Sequence, residues 1–258
     1  MNKIMKRGRR AQLTIFVIIA IIIVVSIAVI IYANPKKIAE TISMQKNPQA
    51  YIQKCARDAA NLAVDSVIPN GGFLNPASYV SWKGVKAPYF CYAAEKEQIC
   101  ENMHPMIRAE IEREIYNQIE PKIEACFNEL RNEFENYHAD SMNLVVEIAN
   151  QKVYIKIARK VSYTKNDVIF NLENFNTQIA SPLYDFIIIS NDIVNEEANC
   201  DCSNSNCNAD IMGINRDRRE YQTIRDMNRD SIKIYSIKEI SSQKIFTFAV
   251  RNCLRLPY

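Results

Sequence analysis

Apolar residues form one unbroken run near the start of the chain, whereas they alternate with polar residues through most of the remaining sequence. The run extends from Ala11 to Pro35 without a charged residue. About twenty helical residues, at roughly 1.5 Å of rise each, cross the roughly 30 Å hydrocarbon core of a bilayer. In lipid, a single segment must form all of its backbone hydrogen bonds internally, and only a helix does so. The run therefore predicts a transmembrane helix over 11–35.

The charges that flank this run differ on its two sides. Residues 1–10 hold five Lys or Arg and no acid, whereas Lys36 and Lys37 are soon followed by Glu40. Lys and Arg favour the cytoplasmic side of a membrane helix. Residues 1–10 are therefore predicted to be a cytoplasmic basic stub. The rest is expected outside the cytoplasm, in a single-pass protein of the cell membrane.

Three later segments carry apolar residues at the three-and-four spacing of amphipathic helices. The first covers 48–67 and follows Asn47-Pro48, a favourable helix start. It belongs to a membrane-proximal helical segment over 36–70. Its apolar face is predicted to hold Ile52, Cys55, Ala59, Leu62 and Ser66.

The other two helical segments lie further along the chain. The second, from Glu101 to Glu135, contains Pro121, which lacks the amide donor that a helix interior needs, so two helices are expected there. The third begins at Ser181-Pro182 and ends near Glu197. Its apolar stripe is Leu183, Phe186, Ile187, Ser190, Ile193 and Val194.

Between and after these helices the apolar period changes to two, which is typical of strands. One hairpin is predicted over 144–157, with a third strand at 167–172, and a second hairpin over 231–251. Two short strands or an extended excursion are expected around Trp82-Lys83-Gly84. Together the patterns predict an α+β fold, with one extracytoplasmic domain over 71–258.

The composition argues against several classes of function. Without the basic residues of 1–10, 27 basic residues stand against 29 acidic ones, so bulk charge selects no partner. The five glycines form no dinucleotide-binding or phosphate-binding motif. Neither nucleotide chemistry nor nucleic-acid binding is therefore expected.

Eight cysteines, all after the apolar run, indicate disulfides in an oxidising compartment. Cys55 and Cys126 each lie on the apolar face of a predicted helix, so a bridge between them is the first expectation. Cys91 paired with Cys100 would close a short loop. Connectivity beyond these pairs does not follow from the spacing.

The sharpest local feature is a cysteine-rich loop over 199–210. Its thiols, Cys200, Cys202 and Cys207, are predicted to form disulfides with one another and with Cys253. Zinc held with Cys253 or Asp210, and calcium held by the loop's side-chain oxygens, are less favoured alternatives because paired zinc knuckles are absent. No cofactor or metal is therefore predicted.

Catalytic constellations are sparse along the chain. His104 and His138 are the only histidines, and neither has neighbours that suggest a triad. Acid pairs in the second helical segment have the spacing of an ordinary charged helix face. No enzyme activity is expected. The aromatic residues Tyr79, Trp82 and Tyr89 are a candidate binding spot for a sugar or a protein partner, with a partly buried cluster as the alternative.

The residues at the entry to the apolar run, Arg9-Arg10-Ala11-Gln12-Leu13-Thr14, resemble the class III signal peptides of archaeal type IV pilin-like proteins. The resemblance implies a processing site at Arg10, Ala11 and Gln12, with the cut before Gln12. An uncut signal anchor is the alternative. Phe16 stands where many of those proteins have Glu, a residue that helps to register neighbouring subunits in a filament.

The layout as a whole resembles a group of single-pass surface proteins of archaea with small genomes. The resemblance lies in Tyr51-Ile52-Gln53-Lys54-Cys55, the Gly71-Gly72 turn, the helix bearing Cys126, the two hairpins and Phe246–Arg251. It implies an architecture and no particular activity.

The expected function is a membrane-anchored extracytoplasmic structural or adhesive surface protein, with a pilin-like subunit as one form. A tethered module that binds a ligand or partner is the alternative, and a tethered hydrolase is a distant third. The expected partners are the lipid bilayer and, through the transmembrane helix, copies of itself or other envelope proteins.

Overall fold

The computed structural model describes residues 18–25, 45–95, 98–200, 202, 208–228 and 232–253. The chain forms two compact units, Met1–Tyr51 and Ile52–Tyr258. The predicted processing site at Arg10, Ala11 and Gln12 lies outside the described residues.

The predicted transmembrane helix over 11–35 is wrong. In the first unit, residues 18–25 are helical and exposed. Within the described ranges, no helix combines the length and the apolar character that a membrane crossing requires.

The elements after residue 47 confirm the α+β class. The helices are α1 (Pro48–Val67), α2 (Ile107–Glu133), α3 (Leu183–Ala198) and α4 (Ile211–Asp217), with a 3-10 turn at Ile68–Asn70. The strands are β1 (Tyr79–Trp82), β2 (Val85–Tyr92), β3 (Glu101–Asn102), β4 (Glu135–Ala139), β5 (Asn143–Ala149), β6 (Lys152–Lys165), β7 (Val168–Asn174), β8 (Thr177–Ala180), β9 (Tyr221–Met227), β10 (Lys233–Glu239) and β11 (Ile245–Arg251).

The first sheet has the order β1-β2-β11-β10-β9, with β3 added to β2. Strand β11 pairs parallel with β2 and antiparallel with β10, so the apolar segment 245–251 is a central strand as expected. The core face of this sheet carries four buried aromatic residues, Phe90, Tyr235, Phe246 and Phe248. Helix α3 packs on this face, where the rings of Phe186 and Phe246 stack at 5.5 Å.

The second sheet is built around the long strand β6. Strands β5 and β8 pair with its first half, and β4 and β7 pair with its second half, all antiparallel. Helix α2 packs against this sheet. The Glu124 carboxylate lies 2.6 Å from the Arg159 guanidinium of β6, and the Glu112 carboxylate accepts the N–H of Ile148 at 2.8 Å.

Two helix predictions need correction. Helix α2 continues through Pro121 as one helix, because Ile111, Ile115, Ile119, Ile123 and Phe127 form one buried stripe across it. That packing outweighs the roughly 3 kcal/mol cost of an interior proline. In α1, Leu62 is 64% exposed rather than on the apolar face.

The disulfide prediction is confirmed within the described residues. Cys55 joins Cys126, which connects α1 to α2 across a Cα distance of 6.7 Å. Cys91 joins Cys100 at 5.3 Å, and Cys202 joins Cys253 at 5.1 Å. Cys200 is also disulfide-bonded, and no described cysteine is free.

Candidate functional site

The first sheet has a second face, on the side away from α3. Side chains alternate between the faces of a strand, and the pairings Trp82 with Val85, Ile224 with Ser236 and Ser236 with Thr247 place these five residues on the same side. We call this side the outer face. It carries small or short side chains on its central strands and larger ones at its margins.

A groove of about 760 Å³ lies on the outer face. The apolar part of its wall comes from Trp82, Val85 and Ile245 together with Ile224, which is 44% exposed. Its polar lining residues are Lys83, Asp226, Ser236, Gln243, Lys244 and Thr247. Ligand sites commonly combine apolar walls with a few polar groups in this way.

The polar groups of the groove are arranged around the indole ring of Trp82. The Lys83 amine lies 2.8 Å from the Asp226 carboxylate and 5.0 Å from the centre of the indole ring. The indole N–H is buried and finds no acceptor among the described residues. The groove therefore offers an apolar ring and a neutralised pair of charges.

The predicted aromatic trio is divided between the two faces of the sheet. Trp82 and Tyr89 both pack against the small cluster formed by Ala87, Ile234 and Ala249 on the outer face. Tyr79, one position out of phase with Val80 and Trp82, points to the other side, and the Lys86 amine lies 5.4 Å from its ring centre. The structure thus brings Trp82 and Tyr89 to one face and separates Tyr79 from them.

The two histidines belong to separate local contacts. His104 lies 2.6 Å from the Glu110 carboxylate, and its ring is 4.9 Å from that of Phe73. His138 is exposed, 3.8 Å from Asp140. Among the described residues, no three His, Cys, Asp or Glu side chains converge as a metal site.

A second polar site, which the sequence patterns did not indicate, is buried between α3 and β10. Its centre is Glu197, whose side chain has no exposure. The Lys233 amine and the Tyr235 hydroxyl both donate to the Glu197 carboxylate. The Asn252 amide nitrogen donates to the Glu197 main-chain oxygen at 2.6 Å and to its carboxylate at 3.4 Å. We call Glu197, Lys233, Tyr235 and Asn252 the buried cluster.

Burial shifts the proton affinities within this cluster. Desolvation lowers the pKa of the Lys233 amine, although the neighbouring Glu197 carboxylate opposes that shift. Desolvation, with Glu197 acting in the same direction, raises the pKa of the Tyr235 phenol. The amine is therefore closer to its neutral, nucleophilic form than an exposed lysine would be.

One sequence signal could have found the cluster. Glu197 continues the apolar stripe of α3, three residues after Val194 and four after Ile193, so its side chain had to face the core. Lys233 and Asn252 lie far from it in sequence, and only the fold brings them together.

Neither protein-family models, nor curated proteins, nor solved structures give a significant match to this chain. The chemistry of the groove and of the buried cluster is therefore the ground on which a function can be proposed.

Proposed function

We propose that this chain is a non-enzymatic extracytoplasmic surface protein, of structural or adhesive type, that binds neutral carbohydrate in the groove of the outer face. The disulfides support an oxidising compartment, because such bonds persist outside the cytoplasm and are rare within it. Three bridges join described cysteines. Such a framework suits a protein exposed to proteases and to mechanical stress.

The class of ligand is inferred from the residues on the Trp82 side of the groove. An indole ring offers a flat apolar surface to a sugar. Ser236, Gln243 and Thr247 provide neutral donors and acceptors nearby. Since Lys83 and Asp226 compensate each other, the site favours an uncharged ligand over an acidic or basic one.

The single tryptophan of the chain makes this proposal directly testable. Titration of the purified full chain with neutral oligosaccharides of glucose, mannose and galactose is expected to change Trp82 fluorescence saturably with at least one of them. The Ile224→Lys variant should abolish the response because it fills the groove with a charged chain. Tyr79→Phe, on the opposite side, is the matched control and should retain it.

Two results would contradict carbohydrate binding. One is the absence of both a fluorescence change and a melting shift with every oligosaccharide. The other is a response that survives unchanged in Ile224→Lys. Hydrolysis of the oligosaccharides, abolished by one carboxylate substitution, would instead show that the protein is an enzyme.

A role as a structural subunit has separate support from β7. This strand pairs with β6 and with no other described strand, and it exposes Val168, Ile169 and Phe170, with Ile169 at 70%. An exposed apolar edge strand is a template for another strand. Two copies can pair their β7 edges about a two-fold axis, since such an interface is self-complementary.

Sedimentation of the purified chain tests this second role. A dimer that dissociates on dilution is expected, and Ile169→Lys should give a monomer of unchanged fold. Glu173→Gln, near the end of the same strand, changes the net charge by the same +1 outside the apolar patch and is the matched control. A chain that remains monomeric at every concentration would rule out pairing through β7.

The N-terminus and the compartment can be examined in the producing cell. The signal-peptide resemblance predicts a mature chain that begins at Gln12, which mass spectrometry of the N-terminal peptide will detect. Protease added to intact cells should digest the disulfide-bonded body if the protein is at the surface. Protection of the body from protease would exclude a surface location.

A further inference from the structure

The buried cluster combines an amine, a carboxylate and a primary amide around one carboxylate oxygen. The Lys233 amine and the Asn252 amide nitrogen both donate to Oε2 of Glu197. All three side chains are buried, with Glu197 fully enclosed. These are the components of an amide-exchange reaction, in which an amine replaces the nitrogen of a carboxamide.

The strand pairing places the two reacting side chains within reach of each other. Lys233 lies opposite Val250 in the pairing of β10 with β11. Asn252 lies two residues after Val250, one beyond the end of β11, and its amide contacts the same Glu197 carboxylate oxygen as the Lys233 amine. A long lysine side chain spans that separation. The central strand β11 pairs with β10, which carries Lys233, and ends one residue before Asn252, so it fixes the positions of both residues.

We propose that Lys233 and Asn252 become joined by an intramolecular amide bond between Nζ and Cγ, with Glu197 transferring the protons. This inference does not rest on the proposed function. It assigns a self-processing site to a cluster that would otherwise be a buried ion pair.

The orientation of the Asn252 amide suits this reaction. Its oxygen accepts the backbone N–H of Cys100 at 2.9 Å, which would stabilise negative charge developing on that oxygen. Its nitrogen, the leaving group, faces Glu197. The attacking amine contacts the same carboxylate, which can take a proton from one nitrogen and deliver it to the other.

The steps balance without an oxidant or a second substrate. Glu197 accepts a proton from the Lys233 ammonium, and the neutral amine attacks Cγ of Asn252 to give a tetrahedral intermediate. Glu197 donates its proton to the Asn252 nitrogen and removes one from Nζ. The bond between Cγ and the amide nitrogen then breaks, and ammonia leaves, taking the remaining proton as ammonium. One amide is lost and one is formed.

The surroundings favour the neutral amine that the first step requires. Phe248 and Tyr235 stack at 5.4 Å beside the cluster, and the site is closed to solvent. Burial lowers the pKa of the lysine amine, so proton transfer to Glu197 is less costly than it would be in water. Exclusion of water also disfavours hydrolysis of the tetrahedral intermediate.

The amide bond would tie down the end of β11, which the Cys202–Cys253 disulfide already anchors. Asn252 immediately precedes Cys253, which is bonded to Cys202. An amide bond to Lys233 would connect the end of β11 to the start of β10 independently of redox conditions. Reduction would then open the Cys202–Cys253 bridge without freeing the end of the strand.

Peptide mapping of the folded, purified full chain tests the proposal. After reduction and alkylation, trypsin should leave peptide 230–238 joined to peptide 252–255, with Lys233 uncleaved. The mass of the joined species should be about 17 Da, the mass of one ammonia, below the summed masses of peptides 230–238 and 252–255. Fragmentation should place the junction at Lys233 and Asn252.

Matched variants separate the chemistry from the fold. Lys233→Arg keeps the positive charge but removes the primary amine, and Glu197→Gln keeps the shape but removes the proton carrier. Neither should give the joined species, and because trypsin then cleaves after residue 233, each should give peptides 230–233, 234–238 and 252–255. Lys238→Arg, the same substitution at a lysine of β10 outside the buried cluster, preserves the tryptic site and should retain the joined species. Circular dichroism and a count of disulfides will establish that each variant has folded.

Clear outcomes would overturn the assignment. Separate peptides from a folded, disulfide-bonded wild-type chain would show that the cluster is an unreacted ion pair. A loss of about 18 Da, with Lys233 joined to the peptide that carries Glu197, would show condensation with the carboxylate instead. A joined species that persists in folded Glu197→Gln would remove Glu197 from the reaction.

Discussion

Single residues with unusual backbone angles determine how the segment after α1 can fold. Gly72 has a φ of +93°, and a Cβ on it would lie 2.3 Å from Cδ1 of Ile111 on α2. Gly84, in the β1–β2 turn, has a φ of +87°, but a Cβ there would meet nothing within 4 Å. Only the first of these glycines is therefore required for both its backbone angle and its size.

Alanine substitution at these two glycines separates strain from packing. Gly84→Ala should cost about 1–2 kcal/mol of unfolding free energy, since only the left-handed backbone is disfavoured. Gly72→Ala should cost about 2–5 kcal/mol, because overpacking against Ile111 adds about 1–3 kcal/mol. Urea denaturation measures both. Equal losses would show that α2 moves away from residue 72 at little cost.

Helix α3 carries both residues whose burial the sequence predicted and one, Glu197, whose burial it did not. The stripe of α3 was predicted from spacing alone, and each of its members, from Leu183 to Val194, is buried. Glu197 belongs to the same stripe, but its polarity concealed this. Its partners Lys233 and Asn252 come from other elements, and local periodicity carries no information about such distant contacts.

At the level of whole elements, α2 is stabilised by packing in spite of an unfavourable interior residue. Pro121 is exposed, and it removes one amide donor from the helix. Pro121→Ala should restore that hydrogen bond and raise the free energy of unfolding by about 1–3 kcal/mol. Lys122→Ala, an exposed neighbour, should change it by less than about 0.5 kcal/mol. Destabilisation by Pro121→Ala would show that the helix needs a bend there.

The disulfides that join elements should differ in their contributions. Cys55–Cys126 closes 71 residues of chain, whereas Cys91–Cys100 closes 9. The chain-entropy estimate gives about 4.4 kcal/mol for the first bridge and about 2.6 kcal/mol for the second. Paired alanine variants, compared in urea, should lose stability in that order. The reverse order would mean that native packing around Cys91 and Cys100 outweighs loop entropy.

Elements with clear periodicity were predictable, and those with charged sequences were not. Both hairpins appear where the period of two placed them, and the segment around Gly84, expected as two short strands or an extended excursion, forms β1 and β2. Helix α4 and strand β9 were missed within a charged stretch. In β9, Tyr221 and Thr223 are buried, whereas the apolar Ile224 is exposed and the charged Arg225 is in phase with the buried pair. The apolar residues of this edge strand therefore show no period of two.

At the scale of the whole molecule, the sheet order could not be predicted. The parallel pairing of β2 with β11 joins Tyr89 to Ala249, which are 160 residues apart. Hairpins follow from local turns, but this pairing depends on the disulfides and helices that position both strands. It also creates the outer face, so the groove was not predictable even though Trp82 was singled out.

The response of the molecule to alkali follows from its buried phenols. Burial raises the pKa of Tyr235 and of Tyr221 above the usual 10.0, and a hydrogen bond from Tyr221 to Asp185 adds to the shift of the latter. Both phenols are protonated in either state below pH 10. Above it, the unfolded chain loses these protons first, so the folded chain binds more protons and its stability falls as pH rises.

The loss should reach at most about 1.4 kcal/mol per pH unit for each tyrosine above about pH 10. Urea midpoints measured across this range test the prediction. Tyr221→Phe should flatten the decline, whereas exposed Tyr79→Phe should leave it unchanged. A midpoint independent of pH above 10 would mean that neither phenol is kept from water in the native state.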